Sequence, residues 1–324
     1  MPLEQVDKLR VVILTGSGKM IVAPLVQSGI NVVGASEVSD EFSNMGRVKQ
    51  FLEKIYWKLV KRKPSPYLSL YAEHSGIAYC EKSKITNTEY VQWLQGLSPD
   101  LLVLHQAPIL PTEIFSIPRF GTLNIHPSLL PKYRGSNPYF WLYYNLDMTA
   151  GVTLHYINEK VDTGHIVGQG SFTLKIGAPA SEVGAVLVNE YALPMVIAAV
   201  QQLESTGKLD STEQQAESPT PYARRVTNKE YLALLDFEQW TLEHLWHVLH
   251  SNEQWRDVFL PEIASSNRYN WALDSFKEKK MDEPYGVIGH DACGFHIKHR
   301  LGAIYLRKNV SVKKFIKNVL NIAR

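Results

Sequence analysis

The chain has 324 residues, enough for one large or two moderate domains, and its 45% apolar and 20% charged composition is that of an ordinary globular protein. A formal net charge of +2 gives no global electrostatic case for a nucleic-acid partner. Cys80 and Cys293 stand apart from any metal-type cluster, the acidic start does not suit a secretory signal, and no apolar run reaches the ~20 residues that span a bilayer. Reduced thiols, no metal, no membrane contact and a cytoplasmic location are therefore expected.

Residues 10–15 form an expected buried first strand that runs into the turn Gly16-Ser17-Gly18. A helix over 20–28 and a strand over 31–34 complete an opening βαβ unit. A dinucleotide fingerprint would need a third glycine and a ribose-binding acid, and neither is present. The turn is simply a tight strand-to-helix connection. Residues 51–63 are expected as a helix with a basic and aromatic face (Lys54, Tyr56, Trp57, Lys58, Lys61, Arg62, Lys63), stopped by Pro64 and Pro66. Its charges either face solvent or border a pocket for an anionic substrate.

A helix over 88–96 and a turn at Ser98-Pro99-Asp100 precede the apolar strand 101–104, whose carboxyl end carries His105, Gln106, Ala107 and Pro108. Residues 120–125 are the next strand, 137–144 an aromatic helix, 151–157 a further strand, and 181–203 a long apolar helix that Pro194 bends. Residues 204–221 have linker composition. The expected domains are thus 1–203, a linker over 204–221, and a small β-rich domain over 222–324. The last contains a helix near 241–250 and a hairpin of 294–298 with 302–306. From Phe295 to Arg324, eight Lys and Arg meet no acid. Val312, Phe315, Ile316, Val319 and Leu320 recur there at helical spacing, which favours an amphipathic helix docked on its own domain over a phosphate-binding arm.

The densest chemistry lies in Asn124-Ile125-His126-Pro127-Ser128-Leu129-Leu130-Pro131, continued by Arg134-Gly135 and answered by Asp162-Thr163-Gly164. Asn124 and His126 are two apart, so on a strand they face the same way, and Pro127 then ends the ladder. Strand ends are where open α/β sheets meet their ligands. Spacing alone does not bring Asp162 to the other two.

These segments, with Gly151-Val152-Thr153-Leu154-His155, Pro99-Asp100-Leu101 and Ile109-Leu110-Pro111, resemble the folate-dependent formyltransferase family over roughly residues 95–170. The resemblance implies an α/β fold, a doubly wound and mostly parallel sheet, followed by a small domain of OB-like or other β-rich form. It implies 10-formyltetrahydrofolate as co-substrate and catalytic roles for Asn124, His126 and Asp162. Folate contacts are implied for Ser128, Leu129, Leu130 and Pro131 and for the backbone near Pro108, Ile109 and Leu110.

The chemistry suits those side chains. An amine attacking a formamide carbon builds charge on the formyl oxygen, which an Asn N–H can stabilise, while an imidazole with a carboxylate beside it can manage the proton. Two departures narrow the acceptor. The glycine-arginine-glycine loop of methionyl-tRNA formyltransferases is replaced by Ser36-Glu37-Val38-Ser39-Asp40-Glu41. After Arg134-Gly135 stand Asn137-Pro138-Tyr139-Phe140-Trp141, which with His155 look more like the nucleotide-linked amino-sugar branch that serves lipopolysaccharide O-antigen synthesis.

On that resemblance the expected acceptor is the amine of a nucleotide-linked amino sugar, with Arg134, Gly135, Asn137 and Trp141 as its contacts and a homodimer as the expected assembly. Methionyl-tRNA, or another small amine such as hydroxyornithine, is the alternative. A binding module without catalysis and an acceptor-independent formyltetrahydrofolate hydrolase are the competing classes.

Overall fold

The computed structural model describes residues 8–16, 20–38, 68–261 and 271–308. The expectations for Gly18, for residues 39–41, for the 51–63 helix and for the terminal amphipathic helix lie outside these residues. The chain divides into two compact units; one division, after Tyr222, falls at the end of the expected linker, and the others lie within the segment expected as one domain. The first comprises Met1–Gly135, Gly151–Phe172 and Ala185–Tyr222, and the second Ser136–Ala150, Thr173–Gly184 and Ala223–Arg324.

The first unit is built on a seven-stranded sheet of β1 (Val11–Thr15), β2 (Val32–Glu37), β3 (Ala78–Glu81), β4 (Leu101–His105), β5 (Thr122–His126), β6 (Thr149–Tyr156) and β7 (Ile166–Thr173). The strand order is β3-β2-β1-β4-β5-β6-β7. Pairing is parallel from β3 through β5, and β6 runs antiparallel to β5. Every residue of β1 (VVILT) and β4 (LLVLH) is buried. Continuous apolar runs of this kind suit parallel strands covered on both faces. The chain builds outward from β1 through β2 to β3 and then returns to place β4 on the other side of β1. That reversal puts the switch point, and with it the ligand crevice, at the carboxyl ends of β1 and β4.

The helix Asn87–Gly96 packs Tyr90 and Leu94 beneath this sheet and begins with a capping box, in which Thr86 and Glu89 satisfy one another's backbone N–H groups. Such a cap is worth about 1 kcal/mol. The long apolar helix expected over 181–203 is continuous but not uniform: Ala180–Val186, a π-helical stretch Leu187–Ala192, then Leu193–Thr206. Pro194 lies just after the π-helical stretch and lacks the N–H that an uninterrupted α-helix would use there. By length and composition Ala180–Thr206 could cross a membrane, which corrects the expectation that no run is long or apolar enough. In the fold it buries Val183, Leu187, Val188, Val196, Val200 and Leu203 as a core helix does.

Residues 204–221 are not a free linker. Thr212 and Ile166 exchange backbone hydrogen bonds of 2.8 and 2.7 Å, and Gln214 is buried. Gln214 and Ser218 bond to backbone groups of the first unit, while most of the other polar side chains of the stretch are exposed.

In the second unit, the helices Pro138–Tyr144, Asn228–Leu234, Leu242–Leu249 and Gln254–Phe259 share a core with a four-stranded antiparallel sheet. Its strands are β8 (Trp271–Glu278), β9 (Ile288–Asp291), β10 (Gly294–His299) and β11 (Gly302–Lys308), in the order β8-β11-β10-β9. The expected hairpin is present, with Lys298 opposite Ala303 and His299 opposite Gly302. Among the described residues this sheet is open, with β8 and β9 at its edges, and is not a closed barrel. The aromatic run after Asn137 belongs to this core: Phe140 is fully buried against Tyr231. Both cysteines are free thiols, Cys80 buried and Cys293 exposed.

Candidate active site

β5 runs one residue further than its hydrophobic pattern suggests, so Asn124 and His126 both lie in the ladder and share a face. Across the antiparallel pair, Asn124 lies opposite His155 and His126 opposite Thr153. His126 is 4% exposed and His155 1%. Asp162 comes from the turn after β6 and has a left-handed backbone, φ 53°. Gly164 lets that turn close, because a Cβ there would run into the carbonyl oxygen of Tyr156.

The hydrogen bonds fix the ring nitrogens. His155 Nδ1 lies 2.8 Å from the carbonyl oxygen of Tyr156, so Nδ1 carries the proton and donates it. Its Nε2 is then a lone pair, and it accepts from Asn124 Nδ2 at 3.1 Å. Burial, with His126 as second cause, pushes the His155 imidazolium down to about 4, so the ring is neutral near pH 7 and the acceptor is maintained. This bond sets which end of the Asn124 amide points where and leaves its second N–H to act elsewhere.

His126 is held the opposite way round. Its Nε2 donates to the carbonyl oxygen of Tyr133 at 3.0 Å, which leaves Nδ1 facing Asp162 Oδ2 at 3.6 Å. Asp162 Oδ1 stands 3.6 Å from His155 Nε2, and Oδ2 accepts the Gly135 N–H at 2.9 Å. The two 3.6 Å separations exceed hydrogen-bond length. An imidazole nitrogen therefore faces a carboxylate just beyond hydrogen-bond reach.

The loop after β5 is tied down internally. Ser128 Oγ donates to the carbonyl of Lys132, and Thr153 Oγ1 donates to the carbonyl of Ser128 while accepting the Leu130 N–H. Gln169 Nε2 donates to the Leu130 carbonyl at 2.8 Å. Leu130 is buried, Leu129 packs over Gly151, and Pro131 is partly exposed. At the end of β4, Pro108 and Ile109 are exposed, Ile109 to 77%, whereas Leu110 is buried in the core.

The expected acceptor contacts are engaged in other ways. Arg134 is buried, and it donates to Gln214 Oε1 and to the carbonyls of Gln215 and Ala216. In the second unit, Trp141 Nε1 donates to the carbonyl of Arg224, and the Asn137 N–H to that of Ala223. The structure thus brings Asn124, His126 and Asp162 into one cluster and adds two residues that sequence reasoning missed as site members, His155 and Gln214. His155 faces Asn124 only through the β5–β6 register, which no local pattern announces.

At one strand end of this open α/β sheet stand an amide, an imidazole and a carboxylate, groups able to stabilise an oxyanion and handle a proton. A family model described as Formyl transferase matches residues 9–187, more than half of the chain. The chain belongs to that family. A methionyl-tRNA formyltransferase of Bacteroides fragilis is 32% identical over 145 residues, covering 45% of this chain and 40% of the relative. The bifunctional polymyxin resistance protein ArnA of Wigglesworthia glossinidia brevipalpis is 36% identical over 124 residues, 38% of this chain and 18% of ArnA. This chain thus spans two fifths or less of the length of these two relatives.

Among solved structures, WlaRD, a sugar 3N-formyl transferase solved in the presence of dTDP and 5-N-formyl-THF, superposes with a TM-score of 0.57 at 15% identity, over 94% of this chain and 100% of its own. HypX from Aquifex aeolicus superposes with a TM-score of 0.56 at 17% identity, over 93% of this chain and 45% of its own. At such identities the likeness is one of fold.

Proposed function

We propose that this protein transfers the formyl group of 10-formyltetrahydrofolate to a primary amine. The observation that carries the proposal is the convergence of Asn124, His126 and Asp162 at the carboxyl end of β5 in a chain of the formyl transferase family. Two structural neighbours, WlaRD and HypX, have been solved with folate-type ligands, which supports a folate donor. The exposed Pro108 and Ile109 offer an apolar rest for its flat ring at the end of β4.

The donor supplies the formyl carbon, and the residues do the rest. The amine nitrogen bonds to that carbon and the formyl oxygen takes the electron pair. Asn124, its amide fixed by His155, directs its free N–H to the growing oxyanion. His126 Nδ1 is the ring atom left free to take a proton, since Nε2 is held by Tyr133. The amine proton moves to Nδ1, and Asp162 stabilises the imidazolium that results. Collapse of the tetrahedral intermediate expels the folate nitrogen, which leaves with a proton.

For the acceptor, the names of the sequence relatives favour methionyl-tRNA. A nucleotide-linked amino sugar is the second reading. In its favour is Ser36-Glu37-Val38 at the end of β2, in place of the glycine-arginine-glycine loop. Arg134 no longer argues for it, because its guanidinium is buried and bonded within the protein. The test is mass spectrometry of products from 10-formyltetrahydrofolate incubated with initiator methionyl-tRNA or with a panel of amino-sugar nucleotides. An N-formyl product lost in Asn124→Ala supports transfer, and its carrier names the acceptor. Formate released at full rate with no amine present would replace transfer by hydrolysis.

A further inference from the structure

Asp162 must hold its carboxylate toward two imidazoles from a left-handed backbone that costs a non-glycine residue about 1–2 kcal/mol. Something outside the turn has to keep it there. Gln214, in the stretch whose composition suggests a linker and beyond the residues matched by the family model, makes the decisive contacts. Its Nε2 donates to the carbonyl of Asp162 itself at 3.0 Å and to that of Gly164 at 2.6 Å. Its Oε1 accepts two N–H groups of Arg134, from Nη2 at 2.9 Å and Nε at 3.3 Å. Next along the chain from Arg134, the Gly135 N–H donates to the carboxylate of Asp162.

One buried amide, 8% exposed, therefore links the loop after β5 to the Asp162 turn. Both amide hydrogens and the amide oxygen are in use, and the side chain is itself anchored by the Thr212–Ile166 bridge two residues earlier. Gln214 contacts backbone and Arg134 but neither His126 nor Asn124, so its influence on chemistry would pass through the placement of Asp162.

We propose that Gln214 is a positioning residue for the transfer reaction, setting the place of the Asp162 carboxylate relative to His126. The proposal rests on the formyl-transfer reading above. Gln214→Glu keeps an acceptor for Arg134 but removes both donors to the Asp162 turn, whereas Gln214→Leu removes every bond. Both variants should lower kcat about 10- to 100-fold, with KM for 10-formyltetrahydrofolate within about 2-fold of wild type. In an Asp162→Asn background, single-turnover measurement should show the Gln214→Leu effect shrinking to about 2-fold or less, because the residue acts through the missing carboxylate.

Equal loss in both backgrounds, or a KM that rises with kcat unchanged, would overturn the proposal in favour of a general structural role. So would wild-type kcat in Gln214→Glu. If these variants lose thermal stability, the crystal structure of Gln214→Glu decides: Asp162 Oδ2 must have moved from its 3.6 Å station beside His126 Nδ1. Wild-type protein that forms no N-formyl product with either acceptor class would instead count against the reading on which the proposal depends.

Discussion

Two aspartates in this molecule sit among histidines, and they are used differently. In the second unit, Asp291 is fully occupied: Oδ2 accepts from Lys279 Nζ at 2.5 Å and from the Tyr305 hydroxyl at 3.0 Å, and Oδ1 accepts the Cys293 N–H at 2.8 Å. In the first unit, Asp162 accepts one backbone N–H and faces two imidazoles at 3.6 Å, too far for a hydrogen bond. A closed cluster fixes a fold. A cluster whose groups are not fully bonded leaves them available to a substrate.

The largest test of that contrast is the pair Asp162→Asn and Asp291→Asn. The first should lower kcat for formyl transfer by about 10²–10³-fold, the scale of a lost acid–base or oxyanion group. The second should leave kcat within about 2-fold. Initial rates at saturating donor and acceptor measure both. Comparable losses in the two variants would erase the distinction between open and closed clusters.

A smaller effect is expected one residue away from the reacting atoms. His155→Leu removes the acceptor that orients Asn124 and should lower kcat about 10-fold without raising the KM for folate. His155→Gln, whose amide oxygen can accept the same N–H, should recover part of the loss. If Leu and Gln behave alike, orientation of the amide is not what His155 contributes.

The smallest effect belongs to the closed cluster and appears as pH dependence. Lys279 beside Asp291 holds its carboxyl below the usual carboxylate range. The folded value is depressed, so the stabilisation is present above the unfolded value of about 3.9 and is lost as pH falls through it toward the folded one. Urea midpoints of wild type and Asp291→Asn should therefore differ at pH 7 and begin to converge only as pH falls below about 4. A gap unchanged across that range would show that the ion pair contributes nothing that titrates.

The central strands were legible because burial on both faces leaves unbroken apolar runs, as in Val11–Thr15 and Leu101–His105. β3 and β7 were not. β3 is a four-residue edge strand, and β7 carries Gly168 and Gly170, which read as turn residues. Those glycines instead make room for Met195 and Tyr191, a packing fact with no local signature. The site divides the same way. Asn124 and His126 are visible as a pair at strand spacing, and Asp162 follows only from the family motif. His155 and Gln214 reach the site through register and long-range hydrogen bonds, and a reading by local composition takes the segment holding Gln214 for a linker. The aromatic helix after Asn137 divides: Phe140 is fully buried in the core of the second unit, while Trp141 packs against that core only partly buried.

The arrangement around Arg134 also has a consequence in time. Its buried guanidinium bonds to groups 80 to 82 residues further along the chain. At about 5–20 residues per second, a ribosome needs roughly 4–16 s after making Arg134 to produce them. Throughout that interval the charge must stay hydrated, which keeps the loop that carries it from settling against the sheet. The strands of the site can pair early in synthesis, but its acidic turn is fastened only when residues 214–216 leave the exit tunnel.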